Sequence, residues 1–146
     1  MRVLLIVLLI SAALSGPVGL RESAAGPAAY LVIAHPDVPA STVDRKFVAD
    51  AFLKKVTRWP HDQAIHPVDL VPGAPARERF TQEILRRSVA AVKSYWQQQI
   101  FAGRDVPPPE LDSDEQVVRY VLAHPGAIAY VSGSAHVAGA RILELR

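Results

Sequence analysis

The chain has 146 residues, half of them apolar, with 21% charged residues, 12 prolines, 8 glycines and no cysteine. That balance excludes a disordered, collagen-like or disulfide-stapled chain, and the length allows one domain with a sizeable core. Sixteen Lys and Arg against fourteen Asp and Glu give a formal charge of +2, and along the sequence the basic residues are scattered. No nucleic-acid partner is expected from such a pattern.

Arg2 followed by the apolar run Val3 to Ile10 and then small residues reads as a secretory signal peptide. The run is short of the ~20 residues that span a bilayer, so no membrane span is expected after cleavage. Small-x-small sites end at Ser15 and at Ala25. The second gives a signal peptide at 1–25 and a domain at 26–146, periplasmic or secreted. Without a lipobox cysteine, a soluble exported product is expected over a lipoprotein.

In the domain, Ala29 to Ala34 is a continuous apolar run ending at His35-Pro36, the pattern of a strand buried on both faces. Ser41 and Thr42 are N-cap candidates for a helix carrying Val43, Phe47, Val48, Ala51 and Phe52, with Lys54 and Lys55 in its last turn. Ala64 to Leu70 predicts a strand that Pro67 places at an edge or at the strand's beginning. Pro72-Gly73-Ala74-Pro75 breaks the chain, and Pro75 suits the first turn of a helix to about Arg87 that buries Phe80, Ile84 and Leu85. Ser88 caps a helix over Val89 to Phe101, with Val92, Tyr95, Trp96 and Ile100 on one face and Gly103 closing it. Arg104 to Asp112, with three consecutive prolines, predicts an extended connection. Ser113 to Gln116 is a capping box for a helix that His124-Pro125-Gly126 ends. Ala127 to Val131 and Ile142 to Leu145 are the last strands. Strands interleaved with helices predict an α/β domain, a small mixed sheet flanked by helices.

Chemistry is sparse. His35, His61, His66, His124 and His136 lie in no helical metal-binding spacing, and three of them directly precede proline, so a metal site is not expected. Ser132-Gly133-Ser134 lacks the nucleophile elbow, and Asp112, Asp114 and Glu115 are explained by a helix N-terminus. No enzyme and no cofactor are expected. The segment Pro67 to Phe80 is more informative: a strand, a glycine turn and a helix start, where backbone N–H groups and Arg77 could meet an anion.

The order of these motifs resembles the phosphate-binding-protein-like members of the periplasmic substrate-binding superfamily. The carriers are Leu31 to Pro39, Ala51-Phe52-Leu53-Lys54-Lys55-Val56-Thr57-Arg58-Trp59, Ile65 to Asp69, Gly73 to Phe80, and Gly126-Ala127-Ile128-Ala129-Tyr130-Val131. Tyr95-Trp96 followed by Ile100-Phe101-Ala102-Gly103-Arg104 is similar to the short members. The resemblance implies one lobe of a type II periplasmic binding protein, the phosphate-binding component of an ABC importer. The partners it implies are inorganic phosphate or another oxyanion and an ABC permease or envelope protein. Its G-S-G-T-R loop maps onto Gly73 to Arg77, so the implied ligand-binding residues are Gly73, Ala76 and Arg77, with Arg79 nearby. Here Ala74, Pro75 and Ala76 replace the middle of that motif, which removes both hydroxyls and one N–H donor. A degenerate loop leaves an alternative, a periplasmic interaction module that has lost its ligand, with a candidate surface around Trp59, Tyr95-Trp96 and Pro107 to Pro109.

Overall fold

A computed structural model describes residues 28–146, so the signal peptide expected at 1–25 lies outside the described residues. Among the described residues, the two most apolar runs become inner strands of the sheet. Strand β1 (Tyr30–Ala34) lies between β6 (Ala127–Ser132) and β7 (Arg141–Leu145), antiparallel to both. A short β2 (Thr42–Val43) adds parallel to β7, and β3 (His66–Pro67) adds parallel to β6, giving the order β2-β7-β1-β6-β3. The sheet is mixed, as expected, and Pro67 sits on its edge strand, where a missing N–H costs no ladder bond.

Three boundaries differ from the sequence expectation. Thr42 is extended and pairs with Glu144 instead of capping a helix; β-branched Thr42-Val43 fits the ladder, and helix α1 (Arg45–Phe52) starts after Asp44. Lys54 is past that helix, in a left-handed conformation at φ 54°, and its ammonium reaches Asp105 at 3.3 Å. The strand expected over Ala64 to Leu70 is split. After Pro67 only Val68 still makes a backbone bond to β6, through Ile128, and β4 (Asp69–Leu70) turns away to pair in parallel with β5 (Glu110–Leu111), next to the three prolines.

Helix α2 (Pro75–Phe80) passes into a π-helical turn at Thr81–Leu85, which Arg86 terminates in the left-handed region at φ 55°. Helix α3 (Val89–Phe101) starts where Ser88 accepts a bond from the Ala91 amide at 3.0 Å. Helix α4 (Asp114–Ala123) is capped by Ser113, which accepts from Gln116, while the Gln116 side chain accepts from the Asp112 amide. No helix among the described residues is long and apolar enough to cross a membrane.

The core lies where α1, α2 and α4 cover the sheet, α4 bringing Val117, Val118 and Val121 to it. Phe80 stacks on Tyr130 with ring centres 3.9 Å apart, and Phe52 closes on Phe80 at 4.7 Å. Such contacts add to the area they bury, together stabilising the layer by several kcal/mol. Beside the β3 edge, Trp59 is buried and donates to the Gly126 carbonyl at 2.9 Å, which the His66 amide also reaches. At Gly126 a Cβ would stand 2.2 Å from the Ala64 carbonyl oxygen, and φ is +80°, so only glycine fits. Helix α3 covers the core with Val92 and Trp96, but Ile100, expected on its buried face, is 51% exposed and lines a groove instead.

Candidate ligand-binding site

The glycine turn follows β4 directly. The Ala74 amide bonds back to Val71 at 3.3 Å, Gly73 takes φ +93°, and the bond from the Glu78 amide to the Ala74 carbonyl opens α2. Gly73 is exposed and Ala76 is buried against the core. First-turn amides have no partner within their helix, and Pro75 supplies none, so Ala76 and Arg77 carry the N–H groups of this turn.

The two arginines part company. A helix turns 100° per residue, so positions 77 and 79 project almost oppositely. Arg77 points inward and is 4% exposed. Its Nη1 donates to the Leu70 carbonyl at 2.5 Å and lies 3.6 Å from both Asp69 Oδ1 and Glu110 Oε2. Asp69, also buried, accepts a 2.6 Å bond from the Tyr130 hydroxyl, and that hydroxyl accepts from the Leu70 amide at 3.3 Å. Arg79 points outward, paired with Glu83 at 2.7 Å, and Glu83 also accepts from Tyr30 at 3.0 Å. The structure therefore brings Ala76 and Arg77 together beside Gly73 and sends Arg79 to a separate groove with Arg45 and Glu83.

Burial dominates the electrostatics of the inner cluster. It pushes the Asp69 carboxyl up to about 6, against the lowering influence of the Arg77 charge and the Tyr130 hydrogen bond, while Glu110 adds to the rise. The Tyr130 hydroxyl is raised by burial and by the neighbouring Asp69 charge. On the rim, burial and then the Glu83 carboxylate push Tyr30 up to about 12.

Asp69, Tyr130 and Glu110 are the partners that sequence reasoning did not single out. Their only signal is a polar group inside or beside an apolar run, and their meeting depends on β4 lying between β5 and β6. Above Arg77 a groove of about 610 Å³ opens between α2, α3 and the proline segment, lined by Trp96, Lys93 and Glu110 among others. The surface expected for an interaction module is changed, because Trp59 and Trp96 are buried. The exposed apolar side chains nearby are Ile100, Phe101 and Val106.

Three histidines have local partners: His35 with Asp37 at 2.6 Å, His61 with Gln63 at 2.8 Å, and His124 with the Tyr120 carbonyl at 2.7 Å. Among the described residues, no three His, Asp or Glu side chains are grouped to hold a metal ion.

No protein-family model and no curated protein matches the sequence. Solved structures do match. One is described as a phosphate ABC transporter substrate-binding protein from Clostridium perfringens, with bound phosphate, at TM-score 0.63 and 20% identity, covering 80% of this chain and 44% of that one. An ABC-type phosphate transport receptor from Vibrio cholerae matches at TM-score 0.61 and 14% identity, covering 80% and 46%. The PstS protein of Borrelia burgdorferi matches at TM-score 0.60 and 12% identity, covering 81% and 47%. This chain spans less than half the length of each, and at these identities the likeness is one of fold. The fold is phosphate-binding-protein-like, an α/β unit consistent with one lobe of such a protein.

Proposed function

We propose that this chain is a non-enzymatic, exported substrate-binding-protein-like domain, related to the phosphate-binding components of ABC importers and carrying a degenerate anion loop. The observation that carries the reading is the state of Arg77. Its guanidinium stands where the resemblance implies a phosphate ligand, yet the Leu70 carbonyl, Asp69 and Glu110 already engage it. A phosphate dianion arriving there would face both carboxylates near neutral pH. What remains for an oxyanion is the backbone of Ala76 and Arg77 beside Gly73, with Arg79 turned away. Any permease or envelope partner would be met by this lobe as a scaffold and not through tight capture of phosphate.

Titration calorimetry with inorganic phosphate at pH 7 tests this. The expected outcome is binding no tighter than about 1 mM. Micromolar binding that Arg77→Lys, which keeps the buried charge, weakens tenfold or more would overturn it.

A second reading, an interaction module, is favoured by one observation. Ile100, Phe101 and Val106 are 51%, 92% and 59% exposed and lie within seven positions of one another, at the end of α3 and just beyond it. Apolar side chains grouped in that way are a common mark of a contact surface. Replacing Phe101 and Val106 by Ser should abolish recovery of a specific envelope partner, and recovery unchanged by the replacements would refute it.

A further inference from the structure

Basic residues that are dispersed along the sequence converge in space. A groove of about 360 Å³ lies between α1, the chain just after it and the end of the π-helical turn, on a floor that includes Leu53, Ile84 and Leu85. Arg45 and Lys46 come from the start of α1, Lys55 from beyond its end, and Arg86 and Arg87 from the end of the π turn. The carboxylates at its edge are Asp50, engaged by Lys46, and Glu83, engaged by Arg79. Among the described residues no carboxylate lies within ion-pairing distance of Arg45, Lys55, Arg86 or Arg87. The groove thus gathers three positive charges in excess, while the whole sequence carries only +2. Like charges drawn together without counter-charge oppose folding, and the electrostatic cost is relieved by an anion.

The backbone presents the arginine pair. Arg86 holds a left-handed conformation that a side chain disfavours by roughly 1 kcal/mol, and it does so at the end of a π turn, a feature frequent at functional sites. Arg87 is fixed over the Tyr95 ring, 5.3 Å from its centre, and Tyr95 is anchored by a 3.0 Å bond to the Leu53 carbonyl on the groove floor. Arg86 is exposed to meet a ligand, and Arg87, already held on the Tyr95 ring, has less side-chain entropy to lose on contact.

We propose that this groove binds a small polyanion bearing clustered phosphate oxygens, of the oligophosphate class, on Arg45, Lys55, Arg86 and Arg87. Concavity and volume favour a compact ligand over a flat charged surface. The site shares no residue with the Gly73 to Arg77 loop, so it stands or falls independently of the function proposed for that loop.

Inorganic tripolyphosphate is the probe, titrated calorimetrically into the purified protein at low salt. The test variant is Arg86→Gly with Arg87→Gln, in which glycine relaxes the left-handed position and so preserves folding. The control, Arg104→Gln with Arg119→Gln, makes the same change in net charge on exposed residues outside the groove. Binding that falls tenfold or more in the test variant, is retained in the control and weakens with added salt supports the site. Absent binding in the wild-type protein, or equal losses in the two variants, would overturn it. So would binding only to phosphatidylglycerol vesicles, which would assign the charge to a membrane surface.

Discussion

Asp69 gives the sharpest test of how the inner cluster is built. Its carboxyl is buried, and burial raises it to about 6 from an ordinary 3.8. The folded state therefore binds more protons than the unfolded state between about pH 4 and pH 6, and stability falls as pH rises through that window. Roughly two pH units at 1.36 kcal/mol each amount to about 3 kcal/mol, present in full below pH 4 and lost above pH 6. Asp37 and Asp105 shift the other way: side-chain bonds from Gln63 and His35 lower the first, and the Val106 amide lowers the second. Their stabilisation is present above about pH 4 and lost in more acid solution, outside the Asp69 window. Asp69→Asn keeps the shape and removes the titration. Urea unfolding at half-unit steps from pH 4 to 7 should show the wild-type protein losing about 3 kcal/mol relative to the variant. Parallel curves for the two proteins would refute the argument, since they would mean that Asp69 is ionised in the fold as easily as in the open chain.

Arg77→Met should destabilise by about 3 to 5 kcal/mol at pH 7, because it leaves the buried Asp69 without its cation, and the cost should shrink at pH 4; denaturant midpoints at the two pH values check this. Gly126→Ala should cost at least ~2 kcal/mol and lower the melting temperature by roughly 8 °C, through a Cβ placed 2.2 Å from the Ala64 carbonyl at positive φ; calorimetric melting measures it. Ser113→Ala should cost about 1 kcal/mol by orphaning the Gln116 amide, with the loss appearing as faster exchange of first-turn amides of α4.

The fold was legible wherever one chain segment decides its own fate. Tyr30 to Ala34 and Ala127 to Val131 are apolar throughout and short, so they read as inner strands, and Pro67 marked an edge for lack of a donor. Ser88 and Ser113 announced their helices by chemistry confined to three residues. What escaped depends on a distant partner. Thr42-Val43 is a strand only because β7 is there to receive it, and the chain leaves β6 after Val68 because the Pro109 and Leu111 carbonyls offer Asp69 and Val71 another ladder. The inward course of Arg77 and the outward course of Arg79 follow from helix phase once α2 is fixed at Pro75, but the acids that meet Arg77 come from two other strands. The basic groove was hidden for the same reason, since three separate segments supply its charges.

The two places where this fold could meet an anion differ in their state before any ligand arrives. At the loop, Arg77 is stable without one: it has a 2.5 Å charge-assisted bond to the Leu70 carbonyl and two carboxylates within 3.6 Å. An anion must compete with those partners, and displacing a charge-assisted bond worth about 1.5 to 3 kcal/mol costs tenfold to a hundredfold in affinity before any repulsion is counted. Pro75 has no N–H to offer, so only the backbone amides of Ala76 and Arg77 remain to offset that cost. At the groove, Arg87 is held by Tyr95 and Arg86 is exposed, and neither has a carboxylate among the described residues within ion-pairing distance, so an incoming oxyanion breaks no ion pair of theirs. Preorganised and unneutralised charge distinguishes a receptor from a structural ion pair. By that criterion Arg77 is a structural ion-pair residue, and the proposed anion site draws on Arg86 and Arg87 instead.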